Sequence, residues 1–112
     1  MENDAQKVQQ LPTHGEQGQD VLESLRGKVP DDIFAQLEER VALGARKYGT
    51  RLETHNGRDV LLDCVQEGLD GIMYGQQAKL EGKDSGLIVD LFVRLVRIVN
   101  SRSNSRWNEN RI

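Results

Sequence analysis

Four carboxylates, Asp59, Asp63, Glu67 and Asp70, recur at steps of 4, 4 and 3 residues through the middle of the chain. At about 100° per residue they fall within roughly 80° of one another on a helix, and Tyr74 falls in the same sector. Leu61, Leu62, Val65, Leu69, Ile72 and Met73 gather on the other side. One helix is therefore predicted with a core face and an acidic face that contains no Lys or Arg. Like charges at i,i+4 destabilise a helix by a few tenths of a kcal/mol per pair, and Asp59–Asp63 and Asp63–Glu67 are two such pairs. Four uncompensated carboxylates suit a cation. Hard divalent ions take carboxylate oxygens, and Mg²⁺ combines one or two carboxylates with waters and substrate phosphates. Glu67 and Asp70, one turn apart, are placed to share such an ion. The alternative is an ordinary solvated acidic face.

Bases flank the acids: Arg46, Lys47, Arg51 and Arg58 fall in the preceding helix end and loop. Carboxylates for a metal beside bases for phosphate describe a site for a nucleoside polyphosphate. Lys47 and Arg58 either contact phosphate oxygens, Arg in bidentate fashion, or are simply solvent-exposed. Tyr48 and Tyr74 either pack in the core or stack on a base. Asn56 is placed to cap the acidic helix, with contact to sugar or phosphate as an addition, and Asp59 equally suits that helix N-terminus. Cys64 lies between the two faces and reads as a small buried hydrophobe. His55 could serve as a base or ligand, although a lone histidine in a loop is usually neither.

The elements that must carry these residues are helical. Pro30-Asp31-Asp32 starts a helix with a carboxylate cap, and Ile33, Leu37, Val41, Gly44 and Tyr48 line one side of it until Gly49 ends it. Before it, Val21 to Lys28 has the length of two helical turns. The acidic helix spans Gly57 or Arg58 to Glu81, closed by Gly82. A further helix starts at Asp84 or Ser85 and reaches Asn100. In it Leu87, Leu91, Phe92, Leu95, Val96 and Ile98, with further apolar neighbours, cover most of the circumference, and only Asp90, Arg94 and Arg97 interrupt them. A helix apolar nearly all round must be buried nearly all round, so a second subunit is the expected cover. Its β-branched content also fits a buried strand, but about 14 residues is long for one. No period-two pattern persists elsewhere. The fold class is all-α, a bundle of three to four helices completed by oligomerisation.

The chain has 112 residues and a mass of 12.6 kDa, room for one domain. A Gln-rich, nearly apolar-free stretch over 1–20 reads as a mobile N-terminal arm, 21–100 as a single all-α domain, and 101–112 as a polar tail. Charged residues make up 29% and no apolar run spans a bilayer, so no membrane partner is expected. A single Cys64 excludes an intramolecular disulfide, and the N-terminus has no secretory pattern; a cytoplasmic protein is expected. Residues 31–84 carry 11 acids and 7 bases, whereas 85–112 carry 2 acids and 5 bases. An acidic middle with only a short basic end argues against nucleic acid.

The runs Gly44-Ala-Arg-Lys-Tyr48-Gly49-Thr50-Arg-Leu52, Asn56-Gly57-Arg58-Asp59 and Asp63-Cys-Val-Gln66-Glu67-Gly-Leu-Asp70-Gly-Ile-Met-Tyr74 together resemble small MazG-like proteins of phages and bacteria. These belong to the all-α nucleoside triphosphate pyrophosphohydrolases, and the likeness covers residues 30–81. It implies a helical homodimer or homotetramer that uses Mg²⁺ or Mn²⁺ to cleave an NTP or dNTP, by analogy a purine dNTP, to the monophosphate and pyrophosphate. Glu67-Gly-Leu-Asp70 matches the family's E-x-x-D, which makes Glu67 and Asp70 the implied catalytic metal ligands, with Asp63 in support. Glu38-Glu39-Arg-Val-Ala42 supplies two acids of the E-E-x-x-E motif, but Ala42 stands where the third belongs. Alternatively Gln66-Glu67-x-x-Asp70 is itself the degenerate first motif, with Glu81-x-x-Asp84 or Asp90 as partner. Lys47, Tyr48, Asn56, Arg58, Tyr74 and Arg94 are the implied substrate-binding residues, Arg94 sharing with Arg97 the alternative of a subunit interface. Two other functions fit the same sequence: a non-catalytic helical oligomeric interaction module, and a small nucleic-acid-binding regulator using the basic end.

Overall fold

The computed structural model describes residues 4–13 and 17–102; Trp107 and most of the expected polar tail lie outside them. Among the described residues the protein is all-α. A 3-10 turn at Asp4–Gln6 precedes four α-helices: α1 Val21–Ser24, α2 Asp31–Tyr48, α3 Val60–Leu80 and α4 Leu87–Arg102. None of these helices is long and apolar enough to cross a membrane. The chain divides into two compact units, Gln10–Arg58 and a second made from residues up to Gln9 together with those from Asp59 onward.

In the Gln10–Arg58 unit, α1 is shorter than the two turns expected. Asp20 caps it by accepting from the Glu23 N–H at 3.1 Å, but the α-helix stops at Ser24, and turns carry the chain through Gly27, at φ 77°, to Pro30. The N–H of Val21 donates to the Leu52 carbonyl at 3.1 Å, and that of Thr54 to the Gln19 carbonyl at 3.0 Å. These bonds hold the 50–58 loop against the start of α1. Helix α2 has the expected span, and its C-cap is Gly49 in the left-handed region at φ 78°. Its N-terminus differs. Pro30 is the N-cap with no side-chain hydrogen bond, and Asp31 and Asp32 sit inside the first turn, where they favour the helix dipole without capping it. Phe34, not Ile33, is the buried residue of that turn. The Arg26 guanidinium lies 4.7 Å from its ring centroid, a cation–π contact that covers an aromatic face in a way an aliphatic side chain would not invite.

In the second unit α3 and α4 form an antiparallel hairpin whose contact is centred on glycines. Gly68, Gly71 and Gly75 are buried. A Cβ at Gly71 would lie 2.6 Å from ring carbons of Phe92, one at Gly68 would lie 2.7 Å from Val96 Cγ2, and one at Gly75 would lie 2.8 Å from Ile88 Cγ2. The helix backbones therefore approach more closely than any side chain at these positions would allow. At the open end Leu62, Val65 and Val99 are the buried cluster, with Ala5, Leu61 and Leu69 packed against it. Docking on the glycine edge turns the buried face away from Met73, which is 73% exposed instead of belonging to the core. Cys64 is likewise exposed, not buried, because it lies at the border of the contact face where no other element covers it.

Both helices of the hairpin are capped by aspartates. Asp59 accepts from the Leu62 N–H at 3.2 Å, taking the role expected of Asn56. Asp84 accepts from the N–H groups of Gly86 and Ile88 at 2.8 and 3.2 Å.

Two outcomes follow from these contacts. Gly75→Ala gains about 1 kcal/mol of helix propensity, but the new methyl would also meet the Val89 backbone nitrogen at 2.9 Å, and backbone cannot swing aside. Overpacking costs about 1–3 kcal/mol, so the urea midpoint falls; an unchanged or raised midpoint would show that the two helices are not in such close contact. The backbone N–H groups of Gly86 and then Ile88 hold the Asp84 carboxyl below its ordinary value. Because the folded value lies below the unfolded one, its stabilisation is complete above the unfolded pKa of about 3.9 and is lost as pH falls through the folded pKa. An NMR titration should place Asp84 below the ordinary Asp range, with the Ile88 amide shift following it, and Asp84→Asn should abolish that acid dependence.

Candidate functional site

Helix α3 carries the acidic edge. Its core side faces α4, and on the outward side Glu67, Asp70 and Tyr74 are exposed while Asp63 is half-buried. Tyr74, at 70% exposure, does not pack in the core, so its ring is available beside the carboxylates. Asp70 follows Glu67 by one turn with no bulky apolar residue between them on that edge. The geometry leaves two carboxylates open to solvent and one engaged.

The engagement comes from a part of the chain expected to be a mobile arm. The Gln9 side-chain amide donates to Asp63 Oδ1 at 2.9 Å and to the Asp59 carbonyl at 3.2 Å, and its carbonyl oxygen accepts from the Asp59 N–H. One turn further on, the Gln66 amide donates to the carbonyls of Ala5 and Lys7 at 3.1 and 2.8 Å. Two glutamines, one in the N-terminal segment and one in α3, thus hold that segment along the first half of the helix. Gln9 occupies part of the Asp63 oxygen capacity. Its donated hydrogen bond stabilises the Asp63 carboxylate beside Asp59, while its remaining bonds go to the Asp59 backbone. In the sequence Gln66 stands only as part of a degenerate acidic motif and Gln9 only as one glutamine of a Gln-rich stretch, and no sequence signal marks either as the partner of the other segment.

The other expected site residues belong to the Gln10–Arg58 unit. Glu38 and Glu39 are exposed on α2. The Arg51 pKa is raised chiefly by its hydrogen bonds to Asp20, with Glu38 a smaller contributor; that of Arg26 is raised chiefly by Glu23, again with Glu38 contributing less. Arg51 pairs with Asp20 at 2.7 Å, and this hydrogen bond, followed by the Glu23 N–H, holds Asp20 below its ordinary value. Arg51 is therefore committed to the local structure. Lys47 is exposed in the last turn of α2, and the Tyr48 side chain lies outside the described structure. Asn56 makes an Asx turn, its Oδ1 accepting from the Arg58 N–H at 3.1 Å, while the Arg58 guanidinium donates to the Gln10 carbonyl. His55 sits at φ 54°, an uncommon conformation for a residue with a Cβ. An apolar hollow of about 290 Å³ lies along α2, lined by Leu37, Val41, Gly44 and Leu52 with Arg40 and Thr50 at its edge.

Arg94, the last of the expected substrate contacts, lies on α4 beside Asp90 and Arg97, all three exposed. Among the described residues no three His, Cys, Asp or Glu side chains converge as a ligand group. Glu67 and Asp70, exposed one turn apart, are the carboxylates of this edge that could offer oxygens to a hard divalent ion.

Comparison of the chain with known protein families, with curated proteins and with solved structures finds no match.

If Gln9 restrains the start of α3 through these bonds, Gln9→Ala removes about 1 kcal/mol of stability and speeds hydrogen exchange at residues 59–63. Exchange there at the unaltered rate would mean that the amide does not bind the helix in solution.

Proposed function

We propose that this protein is a Mg²⁺- or Mn²⁺-dependent nucleoside triphosphate pyrophosphohydrolase of the MazG-like type. Its substrate is an NTP or dNTP, with a purine dNTP the expected preference, and its products are the monophosphate and pyrophosphate. It works in the cytoplasm as a homodimer or homotetramer. The observation that carries this reading is the outward acidic edge of α3, where Glu67 and Asp70 stand exposed one turn apart with Tyr74 beside them.

In this reading Glu67 and Asp70 are the catalytic residues and would hold the ion through carboxylate oxygens, with Asp63, which accepts from Gln9, in support directly or through water. When bound, the ion supplies neutralisation of phosphate charge and activation of water for attack on phosphorus. The exposed ring of Tyr74 offers a face for a base to stack on. Glu38, Glu39, Lys47, Tyr48, Asn56 and Arg58 belong to the other unit, and the roles the resemblance implies for them rest on that resemblance alone. Arg94 takes the alternative role, self-association in place of phosphate binding.

A second reading, a non-catalytic helical interaction module, is favoured by the exposed apolar residues of α4, Leu87, Leu91 and Ile98. Incubation with each NTP and dNTP in the presence of Mg²⁺, followed by a pyrophosphate assay, separates the two. The enzyme releases pyrophosphate, EDTA stops it, and Glu67→Gln lowers the rate at least about a hundredfold with an unchanged circular dichroism spectrum. A Glu67→Gln protein as active as the parent, or a parent that releases nothing from any triphosphate, overturns the enzymatic reading.

A further inference from the structure

Helix α4 has two apolar sides, and the hairpin covers one. Ile88, Phe92 and Val96 meet the glycines of α3. Leu87, Leu91 and Ile98 are exposed, Leu91 at 64%, and Leu95 is shared, partly exposed while its Cδ2 also lies over Gly68. These four recur at steps of 4, 4 and 3 and so lie within about 80° of each other on the helix. That is the seam of a paired helix, about 16 Å long at 1.5 Å per residue. Between Leu87 and Ile98 the polar neighbours of the seam stand on one border, Asp90 towards the N-terminal end, then Arg94 and Arg97; Ser101 continues that border, and Arg102 ends the helix in line with the seam. A surface groove of about 590 Å³ follows that border, lined in part by Asp90, Arg94, Arg97 and Ile98.

The order of charge along this border selects the occupant and its direction. The seam is centred between Phe92 and Val93. A two-fold axis crossing there and perpendicular to the helix lays a second copy of α4 antiparallel on the first, and brings the same border of each copy together. Residue 90 then stands level with residue 95 of the other copy. Each Asp90 falls between Arg94 and Arg97 of the second copy, within about 3 Å along the axis. The pairing is repeated by symmetry, so one surface satisfies itself twice. A parallel pairing on the same seam would put this border against the Ile88 and Val99 side of the second helix, where no charge complements it. We infer that α4 is a self-association surface, with antiparallel copies of the chain joined by the Leu87–Leu91–Leu95–Ile98 seam and by reciprocal Asp90–Arg94 and Asp90–Arg97 pairs. It supplies the contact for the assembly proposed above, and its test reads mass, so a failure here leaves the catalytic reading standing.

Charge reversal provides the test. By sedimentation equilibrium the parent chain self-associates. Asp90→Arg and Arg94→Asp each place like charges across the seam and raise the dissociation constant about tenfold or more, whereas the double variant D90R/R94D, which restores the 90–94 pair but not the 90–97 pair, recovers part of the loss. Leu91→Glu dissociates the assembly while circular dichroism reports the helix content retained. A parent that stays monomeric, its α4 stripe covered from within its own chain or left in water, overturns the proposal. So does an oligomer indifferent to all four variants, or one in which the double reversal is no better than the singles.

Discussion

The close approach of α3 and α4 at Gly68, Gly71 and Gly75 is the constraint on which the rest of the second unit depends. Without Cβ atoms at these three positions, the Phe92 ring and the Ile88 side chain come down onto the α3 backbone. Glycine is a poor helix residue, costing about 1 kcal/mol against alanine. Three of them are tolerated inside one helix because dispersion contacts at short range offset that cost. The contact also sets the rotation of both helices. With the glycine edge inward, the carboxylate edge of α3 must look outward, Met73 is carried out of the core, and the leucine seam of α4 is left on a free side.

The N-terminal end of α3 is governed by a different interaction. Asp59 and Asp63 repel each other across one turn, yet both are wanted where the unpaired N–H groups of a helix start favour negative charge. Asp59 resolves part of this by accepting from Leu62. Gln9 resolves another part by bridging the backbone of Asp59 and the carboxylate of Asp63. A neutral amide donor stabilises a carboxylate without cancelling its charge, so the edge stays acidic as a lysine or arginine in the same place would not leave it.

The basic residues are used differently from one another. Arg51 and Arg26 are bound into local ion pairs with Asp20 and Glu23, and Arg58 is tied to a backbone carbonyl. Of the bases grouped with the acids on sequence proximity alone, Arg51 and Arg58 are thus engaged within their own unit, while Arg46 and Lys47 lie exposed in the last turn of α2. The exposed arginines of α4 belong to a border whose opposite charges occur in an order that matches only an inverted copy of itself.

The amino-acid sequence by itself placed the ends of the long helices to within about three residues, with α3 starting at Val60 and α4 at Leu87, and determined which edge of α3 is acidic. Period, capping residues and left-handed glycines are local properties, and Gly49 and Tyr74 behave as local rules require. Even so, three local assignments went to a neighbour: Asp59 caps in place of Asn56, Phe34 is buried in place of Ile33, and α1 ends at Ser24. Only for Phe34 does a contact from another element, the Arg26 guanidinium over its ring, mark the choice. What only the tertiary structure decided was the rotation of each helix against its neighbour. A glycine stripe is silent on a hydropathy scale, because its effect is to admit another helix and not to contribute apolar surface, so the core face of α3 was read about its leucines instead. The hold of Gln9 and Gln66 on the N-terminal segment was equally hidden, since a side-chain amide has no preferred partner until folding brings one within hydrogen-bonding reach.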